Sequence, residues 1–155
     1  MSKNKGFSLT SAERYSLALY ELASENNVLS QVEDQSTSIL NLISSSKDFS
    51  NLIKDPTNNQ DDLLKVINDI SENNKFEILL KSFLSFLVTK RRFFYVEQIL
   101  KSFIETCSQK RGELKAELKS AKELSSDEIS KITSELIKNF SSKIKLNYKH
   151  DQSLI

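Results

Sequence analysis

The side chains that could do chemistry are few: one histidine, one cysteine and two glycines in 155 residues. A general base or metal ligand would have to be His150. It sits near the end of an alternating stretch with no helper at a useful spacing, so it reads as a strand-edge residue. A nucleophile would have to be Cys107, which falls on the apolar face of a helical pattern and reads as a buried structural thiol. A phosphate-cradling loop cannot be built from Gly6 and Gly112 alone. Asp61 and Asp62 open a helix, where the helix dipole accounts for them. No metal-ligand spacing is present. The sequence thus predicts no catalytic residue, no cofactor site and no metal site.

One cationic cluster remains. In LVTKRRFFYVEQILKSF, from Leu87 to Phe103, Lys90, Arg91 and Arg92 stand between two apolar, helix-like segments. They could grip a phosphate backbone or punctuate two packed helices. Formal net charge is +1, with 22 basic and 21 acidic residues. A protein that lives on phosphate contacts carries a clear basic excess, so this balance argues against nucleic acid as the main partner. Phe93 and Phe94 are expected in the core rather than as stacking platforms for bases.

The elements that position these residues are mostly helical, as the scarcity of glycine and of proline, which occurs once, implies. Helix one is SAERYSLALYELASEN, with Ser11 as its cap and Tyr15, Ala18, Leu19, Leu22 and Ala23 on one face. Helix two covers about 28–45, with Leu29, Val32, Ile39, Leu40 and Ile43 inward. A short helix with Phe49, Leu52 and Ile53 stops at Asp55-Pro56, because the residue before proline avoids the helical region. The fourth starts after a cap at Asn58 or Asn59. Helix five is expected over about 74–89. Helix six begins near Arg92, buries Val96, Ile99, Leu100, Phe103, Ile104 and Cys107, and ends at Gly112.

Beyond Gly112 the pattern changes. SSKIKLNYKH alternates strictly, which predicts a half-buried strand. Before it, LSSDEISKITSELIKNF is a helix with a Ser125–Glu128 capping box, a Leu124–Ile129 staple, and a stripe of Ile129, Ile132, Leu136, Ile137 and Phe140. ELKAELKSA fits strand or helix; the strand reading is favoured because a lone strand needs a partner. The expected fold class is mainly α: an N-terminal six-helix bundle over residues 1–111, then a small α/β strand–helix–strand domain over 112–155. The polar opening MSKNKGFS contains no signal sequence. No stretch approaches the ~18 apolar residues of a membrane span.

Two helices carry more apolar surface than one buried face needs. The apolar arc of helix one spans roughly 260° and that of helix five roughly 200°, against a little over ~100° for a helix buried on one side. Both could be central helices. Alternatively, each buries one side and offers the other as a groove for an amphipathic partner helix. Leu17, Tyr20, Ile78 and Val88 are least explained by one buried face, and Phe86 joins them as a candidate groove residue.

These segments together resemble a known family. AERYSLALYELASEN is similar to the opening helix of the δ subunit of bacterial F-type ATP synthases, equivalent to the mitochondrial oligomycin-sensitivity-conferring protein. LIKDP resembles the family's mid-bundle break. LVTKRRFFYVEQILKSF resembles its helix, polar break and second helix ending in Phe, with Arg92 and Phe103 at the matching places. LKSAKELSSDEISKITSELIKNF followed by KIKLNYKHDQSLI resembles its C-terminal strand, helix and strand.

The resemblance implies a non-catalytic stator subunit joining the catalytic head to the peripheral stalk in proton-driven ATP synthesis. It implies that the bundle binds the N-terminal helix of an α subunit through a groove of helices one and five. The C-terminal domain would meet the b subunits. Membrane contact would be indirect, at the cytoplasmic face of the inner membrane, with no nucleic acid bound. Lys90–Arg92 would be punctuation between helices. The family pattern continues past DQSLI with a Gly-rich turn, a strand and a last helix, so a chain ending there is expected to hold the stalk less securely than the α subunit. The rival reading is a free-standing nucleic-acid-binding or regulatory module using Lys90–Arg92 with Lys143, Lys145 and Lys149.

Overall fold

The computed structural model describes residues 2–140 and 144–154. The described residues form α1 (Ser2–Glu25), α2 (Leu29–Ser45), α3 (Lys47–Lys54), α4 (Gln60–Asn73), α5 (Ile78–Thr89), a 3-10 turn (Phe93–Tyr95), α6 (Val96–Lys110), β1 (Leu114–Ser120), α7 (Ser126–Phe140), β2 (Ile144–His150) and a second 3-10 turn (Gln152–Leu154). The chain divides into two compact units, Met1–Cys107 and Ser108–Ile155, the division falling within α6.

On α1, a seam of three small residues and one leucine faces the core of the first unit. Ala12, Ser16, Leu19 and Ala23 are buried. Their spacing of four, three and four residues keeps them on one narrow stripe. Ser16 Oγ donates to the Glu13 carbonyl at 2.8 Å and lies 3.0 Å from Ser102 Oγ on α6. Side chains this small let two helix axes approach closely. The bulk of the core comes from elsewhere: Leu80, Phe83, Leu84, Leu87 and Val88 on α5, and Val96, Ile99, Leu100, Phe103 and Cys107 on α6. Val32, Ile39 and Ile43 of α2, Ile53 of α3 and Ile67 of α4 complete it.

Several boundaries differ from the sequence expectation. Ser11 is not a cap, because α1 runs through it from Ser2. On α1, Ala18 and Leu22 face outward rather than inward. Helix five starts at Ile78, not near residue 74. A 3-10 turn precedes α6, so that helix starts at Val96 rather than near Arg92. Phe93 is buried, but Phe94, expected in the core, is 50% exposed. Other local signals hold: Asn59 Oδ1 accepts from the Asp61 amide, and Asp61 and Asp62 occupy the first turn of α4.

The helix ends explain how a chain with two glycines turns so often. Asn27, Lys75, Arg91 and Gly112 all adopt positive φ, at 57°, 51°, 56° and 71°. At each, two reverse bonds close the helix: Asn27 to Ser24 with Val28 to Ala23, Lys75 to Glu72 with Phe76 to Ser71, Arg91 to Val88 with Arg92 to Leu87, and Gly112 to Gln109 with Glu113 to Ser108, each N–H donating to a carbonyl. This is the Schellman cap, which normally favours glycine. Lys90, Arg91 and Arg92 are therefore the terminus of α5: Lys90 caps it, and the two arginines supply the amides that satisfy its last carbonyls.

In the second unit, β1 and β2 are parallel, with Leu114 opposite Ile144 and Ser120 opposite His150. The capping box forms as expected: the Ser125 amide donates to Glu128 Oε2 at 2.9 Å, and the Glu128 amide to Ser125 Oγ at 3.3 Å. Ile129, Ile132 and Leu136 of α7 are half-buried, but Ile137 is exposed, contrary to its place in the expected stripe. His150 ends β2, and its Nε2–H can donate to the Ala121 carbonyl at 3.1 Å.

Lys75 is exposed, and its left-handed backbone costs an L-residue roughly 1–2 kcal/mol. Lys75→Gly removes that cost and adds unfolded-state entropy, so a net gain of about 1 kcal/mol is expected, or roughly 2–4 °C in Tm. Lys75→Val should lower Tm; both are read by thermal melts. The α3–α4 turn gives a pH test. Thr57 donates to Asp55 Oδ1 from its hydroxyl at 2.6 Å and its amide at 2.9 Å, and these bonds, the hydroxyl first, lower the Asp55 pKa. A carboxylate pKa lowered on folding contributes stability above its unfolded value, lost as pH falls through the folded value. Thr57→Ala should raise the Asp55 pKa in an NMR titration, and its stability deficit should disappear in acid.

Candidate docking surface

The sequence-predicted groove residues scatter round the fold. Val88 is 1% exposed, so it is core and cannot line a surface. The closing turn and α4 enclose it, with Arg91 bonded to its carbonyl at 2.9 Å and Gln60 Nε2 donating to the same oxygen at 3.3 Å. Tyr20 is half-buried and packed against the core. Leu17 is exposed, but two residues from Tyr15 it stands roughly 160° round the helix at ~100° per residue. Ile78 is 80% exposed at the first turn of α5. Phe86 is 44% exposed. Arg92 is placed in the helix cap described above.

Of these, the structure joins Phe86 to α1, through a residue the sequence had assigned to the core. The Tyr15 and Phe86 rings meet edge to face, 6.2 Å between centroids at 61°. Tyr15 is half-buried, and Leu22 lies on the same flank of α1, 46% exposed. Lys90 closes the α5 side, its Nζ 5.7 Å from the Phe86 centroid. The surface between α1 and α5 is thus an apolar flank with an aromatic pair and one cation. Sequence reasoning missed Tyr15, Leu22 and Lys90. The signal that finds the first two is the stripe Ala12–Ser16–Leu19–Ala23, whose helical spacing leaves Tyr15 and Leu22 on its flank.

Another concavity of about 540 Å³ lies between the Asp55–Asp61 turn and the segment from Arg91 to Phe94. Its polar groups serve the fold. Asp55 accepts from Thr57, Asn59 caps α4, and Gln60 donates to the Val88 carbonyl. Among the described residues, no group of His, Cys, Asp and Glu could hold a metal ion, and no helix is long and apolar enough to cross a membrane.

Comparison with known proteins decides the family. The model for "ATP synthase delta (OSCP) subunit" matches residues 12–155. The chain belongs to this family. It is 69% identical over 155 residues to the ATP synthase subunit delta of Pelagibacter ubique, covering 100% of this chain and 84% of that protein. It is 31% identical to the ATP synthase subunit delta of Rhodospirillum rubrum, covering 100% of this chain and 83% of that one. Its fold matches a chain in the cryo-EM structure of the Toxoplasma gondii mitochondrial ATP synthase hexamer. The TM-score is 0.78 at 21% identity, over 92% of this chain and 79% of that one. As a family member the protein is a stator component of F-type ATP synthase.

The placements separate core from surface among the δ-family groove candidates. Val88→Asp should unfold the protein or cost several kcal/mol, since it buries an unpaired charge. Leu17→Asp and Ile78→Asp should leave the melting curve nearly unchanged. Circular dichroism melts of the three variants check this ordering.

Proposed function

We propose that residues 1–111 act as a six-helix bundle that binds the N-terminal helix of an ATP synthase α subunit on the surface between α1 and α5. Residues 112–155 face the b subunits of the peripheral stalk. The chain itself catalyses nothing; it holds the catalytic head against rotation. It sits peripherally at the cytoplasmic face of the inner membrane and reaches the membrane only through the complex. The observation that carries the α-subunit reading is the Tyr15–Phe86 contact, with the exposed Leu22 beside it. Two helices offer an aromatic pair that is only partly covered, the pattern of a helix-in-groove site.

Load-bearing of this kind suits apolar burial. Each large side chain covered contributes roughly 1.5–3 kcal/mol at full burial, whereas an exposed ion pair contributes about 0–1. The nucleic-acid alternative loses support from the charge balance, 22 basic against 21 acidic residues, which leaves no clear basic excess. Lys143 lies outside the described residues.

Calorimetric titration of the full chain with a synthetic peptide of the cognate α subunit's N-terminal segment tests the proposal. One-to-one binding is expected, weakened about tenfold or more by Leu22→Glu or Phe86→Glu with the circular dichroism spectrum retained. Absence of binding by the folded chain would sink the assignment. A labelled duplex titrated alongside should show no steeply salt-dependent affinity; if it does, the nucleic-acid reading replaces this one.

A further inference from the structure

The same surface carries a cation with no carboxylate to answer it. Lys90 is exposed, caps α5, and projects its ammonium over the Phe86 ring at 5.7 Å. Among the described residues, Lys81–Glu72, Lys101–Glu97, Arg111–Glu113 and Lys119–Glu117 form ion pairs, and none of these involves Lys90. In water this is a comfortable arrangement. The ring face attracts the ammonium, and the negative end of the helix dipole adds to it.

Docking changes the balance. A helix laid across Phe86 and Tyr15 excludes water from the ring face, and Lys90 lies over that face. A cation stripped of water without a partner is strongly penalised. A second cation there would be repelled, and an apolar residue would leave Lys90 unanswered. An acidic residue both covers the site and compensates the charge. An apolar flank alone accepts many amphipathic helices in several registers, whereas a fixed charge at one end selects one.

We infer that Lys90 is a specificity-determining residue of this surface, and that the docked α-subunit helix places an Asp or Glu carboxylate against it. The inference rests on the docking reading above. It adds the chemistry of the partner: apolar side chains over Tyr15 and Phe86, and one carboxylate at the α5 C-terminus that fixes register.

The test is calorimetry of the full chain and its Lys90→Gln and Lys90→Glu variants against the synthetic α-subunit N-terminal peptide. The same peptide is also made with each Asp or Glu changed in turn to Lys. Lys90→Gln should weaken binding a few fold and Lys90→Glu about tenfold or more. One Lys-substituted peptide should bind the wild type poorly and restore affinity for Lys90→Glu. If the wild type binds but Lys90→Glu binds equally well, or no substituted peptide restores it, the role of Lys90 is overturned while the docking surface stands. If the wild type does not bind the peptide at all, both fall together.

Discussion

The close approach of α1 to its neighbours conditions much of the first unit. Ser16 and Ser102 bring their hydroxyls to 3.0 Å, a separation possible only because both side chains are short. Ala12 and Ala23 extend the same stripe. With Ala12, Ser16, Leu19 and Ala23 on the inward face, Tyr15, Leu17 and Leu22 fall outside it. Tyr15 stays half-buried beside Phe86, and Leu17 and Leu22 remain in water. The candidate docking surface is therefore a consequence of how the core is filled. A leucine at residue 16 would add volume where there is none, and cores respond to overpacking by shifting backbones.

This constraint explains where sequence reasoning succeeded and where it stopped. The excess apolar width of helices one and five was legible, because angular spread follows from sequence spacing alone. Which residues form the excess was not. Tyr15, Ala18 and Leu22 share helical spacing with Leu19 and Ala23, so all five read as inward. Packing instead centres the buried stripe on Ala12, Ser16, Leu19 and Ala23, which turns Ala18 and Leu22 outward. Val88 fails in the opposite direction. It continues the spacing of Leu80, Phe83, Leu84 and Leu87 and is buried with them. Helical periodicity alone places it inward, so taking it as excess apolar surface misread the stripe.

Turn chemistry limited the boundaries in the same way. Gly112, Pro56 and the Ser125–Glu128 box were readable, since each has a residue type tied to one conformation. Asn27, Lys75 and Arg91 take the left-handed position, which asparagine adopts far more readily than lysine or arginine. The last two leave no compositional trace. Helix five was consequently started too early. The cluster Lys90–Arg92 left a phosphate grip and helix punctuation both open by residue type, and two of its members supply amides to the end of α5. Their amides close α5, and their charges also complement the dipole there.

The two units differ in how far they close upon themselves. Among the described residues beyond Cys107, no apolar side chain is fully buried. Ile129, Ile132 and Leu136 are half-covered, and the sheet described has two strands. Half-burial yields only part of the roughly 1.5–3 kcal/mol available per large side chain. Two paired strands need a helix packed on them for independent stability, and α7 packs against β2. The first unit, by contrast, excludes water from Leu19, Leu80, Leu87, Ile99, Leu100 and Phe103. The candidate docking surface lies on the helical unit, where Tyr15 packs against that core.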